Sequence, residues 1–362
     1  MIVGLDVGSI MISLALINRR GQVIETRYAE HSGEPRNRLQ ELLSDISDGP
    51  VEAVACTSGT PEFVRTDHRY NDTVCTIHAA RHLHPEMGAV ISVGGERFSL
   101  ARFDADGSYR SVRGNTSCAA GTGSFLDEQA RRLGLAGSAE LSTRAAAATG
   151  QRPTIASRCS VFAKTDLIHA QQEGFEIEEI CDGLCYGLAR NLVDTLSDGE
   201  PIGEPVVFAG GVSLNTKVVE YVSQLLDRCV VVDELSHSYA AVGAGLEYLA
   251  SEASRRTDEY CDGHPAHIDL AAIVAGERPE RSYHFPPLEL DPDYPDFDTH
   301  RRSERAHEAR EGNPVETDLY LPLSGRIRAY LGIDIGSTST KAVLLRPDGE
   351  VLMALYTRTA GR

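Results

Sequence analysis

Asn115-Thr116-Ser117-Cys118-Ala119-Ala120-Gly121-Thr122-Gly123-Ser124-Phe125-Leu126 is a run of small residues that carries one cysteine. It opens directly into the helical spacing Phe125, Leu126, Ala130 and Leu133. A thiol just ahead of a helix feels unpaired backbone N–H groups and the positive end of the helix dipole, which favours its thiolate. Gly121 and Gly123 leave room for a phosphate or a second backbone to approach closely. A tight turn around a buried, inert cysteine is the plainer account of the same residues. What argues against it is a second element, Ser157-Arg158-Cys159-Ser160-Val161-Phe162-Ala163, whose cysteine follows the first by 41 residues (159 − 118).

Outward from this stretch the chain alternates strands and helices. Residues 2–7 and 12–18 are apolar runs parted by Gly8-Ser9, and Arg19-Arg20-Gly21 turns into Val23-Ile24, the pattern of a strand meander. Leu39, Leu42, Leu43 and Ile46 give helical spacing over 35–48, followed by a buried strand at Val51–Cys56. Ala89–Val93 is a strand running into Gly94-Gly95, and Ile177–Leu196 is a long amphipathic helix. Cys181 and Cys185 share one face of that helix, but no histidine or CxxC accompanies them, so they read as core thiols. His78 likewise reads as a structural helix histidine. Pro205-Val206-Val207-Phe208-Ala209-Gly210-Gly211-Val212-Ser213-Leu214-Asn215 is a buried, parallel-type strand entering a double glycine and then a helix. Glycines there let an adenine or ribose lie against backbone. Cys229–Val232 reads as the next strand and His237–Leu249 as a closing small-residue helix.

At 362 residues, 41% of them hydrophobic, the chain has the size and composition of a globular protein with two or three domains. A formal net charge of −18 argues against a nucleic-acid backbone or an anionic membrane as partner. No apolar run reaches the roughly 18–20 residues of a membrane span, and the N-terminus reads as a strand, not a signal peptide. The 8 scattered cysteines are those of a reduced, cytoplasmic protein.

Residues 118–123, Cys-Ala-Ala-Gly-Thr-Gly, together with Cys159, Val161, Phe162 and Ala163, resemble the two cysteine motifs of a known family. It comprises the activator ATPases of 2-hydroxyacyl-CoA dehydratases and benzoyl-CoA reductases, the BadF/BadG/BcrA/BcrD type. The resemblance extends to Asp6-Val7-Gly8-Ser9 as a first phosphate loop, Gly94-Gly95 as a second, and Gly210, Gly211 and Asn215 as an adenosine seat. It implies an α/β, two-lobed ATPase fold of the actin/sugar-kinase/Hsp70 (ribonuclease H-like) type, with mixed sheets flanked by helices. It also implies that Cys118 and Cys159 ligate one [4Fe–4S] cluster, beside which Gly121, Thr122 and Gly123 act as backbone donors and spacers. Such clusters take four thiolates, so two per chain imply a two-fold homodimer sharing one cluster. The cofactors implied are that cluster and ATP or ADP with Mg²⁺. The expected activity is ATP-coupled one-electron transfer to a dehydratase or reductase partner, with ferredoxin or flavodoxin as donor.

Departures from the family pattern bear on hydrolysis. Ile10-Met11-Ile12-Ser13 stands where a Thr-rich turn ending in lysine is expected, Ser92 where an aspartate is, and Glu96-Arg97 where Gln-Asp is. These losses support an alternative expectation, a degenerate cluster- and nucleotide-binding unit that does not hydrolyse ATP. The tail supplies a counterpart: Tyr330-Leu331-Gly332-Ile333-Asp334-Ile335-Gly336-Ser337-Thr338-Ser339-Thr340-Lys341 repeats the N-terminus, with the hydroxyls and lysine restored. The organisation expected is an ATPase-like domain over 1–250, a partly disordered linker over 251–329, and the start of a second, truncated unit over 330–362.

Overall fold

The computed structural model describes residues 1–46, 50–115, 122–157, 160–256, 268–274, 304–310, 313–336 and 339–358. Three strands form the expected N-terminal meander, β1 (Ile2–Val7), β2 (Met11–Ile17) and β3 (Val23–Glu30). β4 (Ala53–Thr57) and β5 (His68–Tyr70) extend it in parallel beyond β1, giving the order β3-β2-β1-β4-β5. α1 (Pro35–Ser44) buries Leu39, Leu42 and Leu43 against this sheet. α2 (Asp72–Leu83) is capped by the Asn71 side chain, which accepts from the backbone N–H of Thr73 and Val74.

A second sheet repeats the plan. β6 (Ala89–Val93), β7 (Phe98–Phe103) and β8 (Tyr109–Gly114) form a meander, and β9 (Val206–Ala209) and β10 (Val230–Val231) add in parallel beyond β6. Between β8 and β9 the chain makes α3 (Gly123–Arg132), α4 (Ser138–Ala146), α5 (Ser160–Glu173) and α6 (Ile177–Leu196). α7 (Thr216–Leu226) follows β9 and α8 (Tyr239–Arg256) follows β10. β4 and β9, flanked by strands on both sides, are buried along their whole length, which is why they read as unbroken apolar runs. Cys181 and Cys185 lie in the core with Leu184, Leu188 and Phe208, where burial pushes both thiols up to about 12. They are core residues, as their spacing suggested, and His78 is held by Glu247 at 2.7 Å.

The small residues at 240–245 let α8 lie against β1. A Cβ placed on Gly4 would sit 2.0 Å from the carbonyl oxygen of Ala241, a separation no side chain tolerates.

The chain divides into two compact units, residues 1–279 and 280–362, and the stretch expected to be a linker contributes to both. Its one apolar run, 268–274, forms the short helix α9 (Leu270–Ile273). This segment bonds the first unit through Ile268 N–H to Val51 O at 3.0 Å and Arg65 N–H to Ile273 O at 2.8 Å. Farther on, β11 (Glu304–Arg310) and β12 (Asn313–Leu319) pair as a hairpin in the second unit. They join the edge of a third meander, β13 (Tyr330–Ile335), β14 (Ser339–Leu345) and β15 (Val351–Arg358), in the order β11-β12-β15-β14-β13.

That meander copies the first at a constant offset of 328 (334 − 6). Asp6 pairs with Ser13 and Ser13 with Tyr28, while Asp334 pairs with Lys341 and Lys341 with Tyr356. Even the register shifts, Leu16/Ile17 and Leu344/Leu345, coincide. The difference is cover. Ile2, Val3, Leu5 and Val7 are 0–2% exposed, whereas their counterparts Tyr330, Leu331, Ile333 and Ile335 are 58–72% exposed. Among the described residues no strand pairs with β13 as β4 does with β1, and the nearest atom to a Cβ on Gly332 is 3.9 Å away.

Gly4→Ala should therefore destabilise the first unit by about 2–3 kcal/mol through overpacking, while Gly332→Ala leaves the melting curve of the full chain unchanged. Paired thermal melts of the two variants check this, and equal effects would contradict the packing described.

Candidate functional site

The two meanders turn alike. In the first, Gly8 N–H donates to Met11 O at 3.0 Å, and in the second Gly94 N–H donates to Arg97 O at 2.8 Å. Each turn closes the hairpin that follows a central strand, so the two glycine turns mark corresponding points of the two sheets. They also meet: a Cβ on Gly95 would lie 3.0 Å from Ser9 Oγ and 3.4 Å from Ser124 Oγ. The predicted first and second phosphate loops are thus brought together.

Asp6 stands at the end of β1, where its Oδ1 accepts from Thr57 Oγ1 at 2.7 Å on the neighbouring strand β4. Thr60 Oγ1 accepts from Val7 N–H at 3.1 Å, tying the same corner. Burial pushes the Asp6 carboxyl up to about 6, against the opposing hydrogen bond from Thr57. The cross-strand partner that would hold a cation over it is Ser13, whose buried Oγ has no hydrogen-bond partner among the described residues. In the second unit the same position is Lys341, whose Nζ lies 3.1 Å from Asp334 Oδ2. Register thus establishes what sequence spacing suggested: serine occupies the lysine position in the first unit. Ser92 pairs with Ser99 inside the second sheet, and Glu96 is exposed. Among the described residues no group of three or more His, Cys, Asp or Glu side chains forms a metal site.

In the second sheet β9 runs into Gly210, whose φ of +88° and close approach to Val93 O both demand glycine. Gly211 opens a 3₁₀ turn, Gly211–Leu214, leading into α7. Asn215 is 5% exposed. Its Oδ1 accepts from Val218 N–H at 3.0 Å to cap α7, and its Nδ2 reaches Cys185 Sγ at 3.5 Å. Its amide therefore fixes the helix that frames the seat. The predicted site residues include Gly210 and Gly211 at this end. At the phosphate end they offer one carboxylate and, from Asp6 to Ile17, no cationic side chain.

Cys118, Gly121 and Cys159 lie outside the described residues. Their flanks do not. Thr122 is buried and begins α3; Gly123 N–H donates to Gly94 O at 2.9 Å, and Ser124 N–H donates to Gly95 O at 3.0 Å. The start of α3 is in this way bonded, backbone to backbone, to the second glycine turn. α5 starts one residue after Cys159 and packs beside α3. The described cysteines are Cys56, Cys75, Cys181 and Cys185, all buried, and Cys229, which is exposed.

Two residues of the cleft escaped the sequence reading. Tyr28 on β3 and His237 in the turn before α8 meet edge to face, with ring centroids 4.8 Å apart. Only the register opposite Ser13 reveals where Tyr28 points, and nothing in the sequence around His237 marks it.

A carboxyl whose folded-state pKa is about 6 holds its proton between pH ~4 and ~6, where the unfolded chain has released it. Stability contributed by that proton is present below this window and lost as pH rises through it. Asp6→Asn should therefore flatten the pH dependence between ~4 and ~6 and raise stability at pH 7 by at most about 3 kcal/mol. Denaturant titrations across that range check the sign, and an unchanged profile would contradict it.

Residues 3–247 match the BadF/BadG/BcrA/BcrD ATPase family. The 2-hydroxyisocaproyl-CoA dehydratase activator of Clostridioides difficile is 27% identical over 267 residues, covering 71% of this chain and 97% of its own. The activator of lactoyl-CoA dehydratase of Anaerotignum propionicum is 30% identical over 262 residues, 70% of this chain and 98% of its own. Among solved structures, the activator of the 2-hydroxyisocaproyl-CoA dehydratase from Clostridium difficile, with bound ADPNP, superimposes with a TM-score of 0.64 at 22% sequence identity. That alignment covers 72% of this chain and 99% of the other. Two glycine turns, a double-glycine strand end and a helix bonded to the second turn are here carried on that fold, and the chain belongs to the BadF/BadG/BcrA/BcrD ATPase family.

Proposed function

We propose that this chain is an iron–sulfur activator ATPase. In this reading ATP binding and hydrolysis drive one-electron transfer to a 2-hydroxyacyl-CoA dehydratase or a related CoA-ester reductase. Cys118 and Cys159 of two chains would hold one [4Fe–4S] cluster, which would supply a one-electron carrier; a ferredoxin or flavodoxin would reduce it. The observation that carries the reading is that both cysteine segments lead into neighbouring helices, α3 and α5, while the first of them is bonded to Gly94 and Gly95. The chain's own residues then have distinct tasks. Gly210 and Gly211 expose backbone to the adenosine, the Gly8 and Gly94 turns face the phosphates, and Asp6 is the carboxylate available to Mg²⁺.

Anaerobic reconstitution of the full chain should give about four irons per dimer with iron–sulfur absorbance. Cys118→Ser and Cys159→Ser should each lose it while melting at the wild-type temperature. Folded wild-type protein without iron would overturn the redox part of the proposal.

A second reading is favoured by one observation, the serine at position 13 where the repeat has Lys341. In it the first unit binds nucleotide and cluster but does not hydrolyse ATP. Phosphate release by the wild type at background level, with turnover gained in Ser13→Lys, is the outcome it requires. Steady wild-type turnover abolished by Asp6→Asn would instead favour the first reading.

A further inference from the structure

Tyr28, on β3, reaches the turn that follows β9 in the second sheet. A Cβ on Gly211 would lie 2.5 Å from the Tyr28 hydroxyl oxygen and 3.7 Å from Cζ, so the phenol stands directly on the glycine that opens the adenosine seat. Its ring is braced from the other side by the edge-to-face contact with His237. Burial first, and then the negative fields of Asp6 and Asp127, push the phenol above its ordinary pKa, keeping it neutral beside both carboxylates. The phenol is thus held between the turn after β9, at Gly211, and the turn before α8, at His237. The repeat keeps this tyrosine. Tyr356 occupies the matching register position beside Lys341, so the serine-for-lysine difference leaves the tyrosine in place.

We infer that Tyr28 is the gate of the nucleotide cleft: an adenine nucleotide seats on Gly210–Gly211 only when the phenol turns away from Gly211. The inference rests on the proposed nucleotide site and adds to it a residue that sets its occupancy. The physical reason is exclusion. The same backbone surface cannot contact the phenol and a ribose or phosphate together. A gate that is mostly shut lowers apparent affinity by the fraction of time it is open.

The test is a titration of the full chain with N-methylanthraniloyl-ADP and Mg²⁺, using wild type, Tyr28→Ala and Tyr28→Leu, the second keeping an apolar side chain at the site. A gate open about a tenth of the time predicts roughly tenfold tighter binding in the variants. It also predicts a wild-type association rate that levels off with probe concentration, and this readout needs no variant to fold. Equal or weaker binding in both variants, with wild type still binding in a single concentration-proportional phase, would overturn the gate and leave the nucleotide site standing. Absence of binding in all three proteins would overturn both.

Discussion

The pair of backbone hydrogen bonds from Gly123 and Ser124 to Gly94 and Gly95 is the contact on which the rest of the site depends. It joins the entry of α3, and with it the cysteine loop, to the hairpin turn of the second sheet. Ser124 Oγ adds a third hydrogen bond as a second donor to Gly95 O. Gly123 is held so closely that a Cβ there would lie 3.1 Å from Gly94 O and 3.3 Å from Val212 Cγ2. Through Val212 the same small volume touches the turn that follows Gly210–Gly211. The second glycine turn, the start of α3 and the turn after Gly210 therefore share one set of short contacts. The second glycine turn is joined to the start of α3 by backbone hydrogen bonds, not through a chain of flexible side chains.

Around this contact the architecture is a three-fold reuse of one local idea. Gly336 N–H donates to Ser339 O at 2.9 Å, as Gly8 does to Met11 and Gly94 to Arg97. What distinguishes the copies is what surrounds them. In the first, β4 and α8 bury β1, and the cation position is a serine. In the third, the lysine and its ion pair with Asp334 are present while β13 is bare. The lysine of an exposed hairpin forms a solvated ion pair worth little by itself. Placed over a buried carboxylate such as Asp6, the same charge would matter far more, because burial is what raises Asp6 in the first place.

Much of this was legible before any coordinates. β1, β2, β4, β6 and β9 are apolar runs broken by glycines, α6 has clear amphipathic spacing, and α8 declares itself by its small residues; each is a local pattern that tertiary packing reinforced. The polar strands were not legible. β5 is the three residues His68–Tyr70, and the β11–β12 hairpin, built from charged residues, has no apolar alternation to mark it. They exist because a neighbouring strand offers unpaired backbone groups, which sequence periodicity does not record. Tyr28 was missed for a related reason. In Val23–Glu30 it is one of several half-buried positions, and only the cross-strand register with Ser13 aims it at Gly211. The role of Asn215 was half legible: the sequence marked it, and the structure spends its amide on α7 and Cys185.

Mechanical continuity between the proposed nucleotide site and the start of α3 is measured most directly by amide hydrogen exchange of the full chain with and without MgADP. Continuity predicts that nucleotide slows exchange at Gly123 and Ser124 together with residues 94–97, as well as at 210–215. Protection confined to 210–215, with the amides of Gly123 and Ser124 exchanging at their nucleotide-free rate, would contradict it.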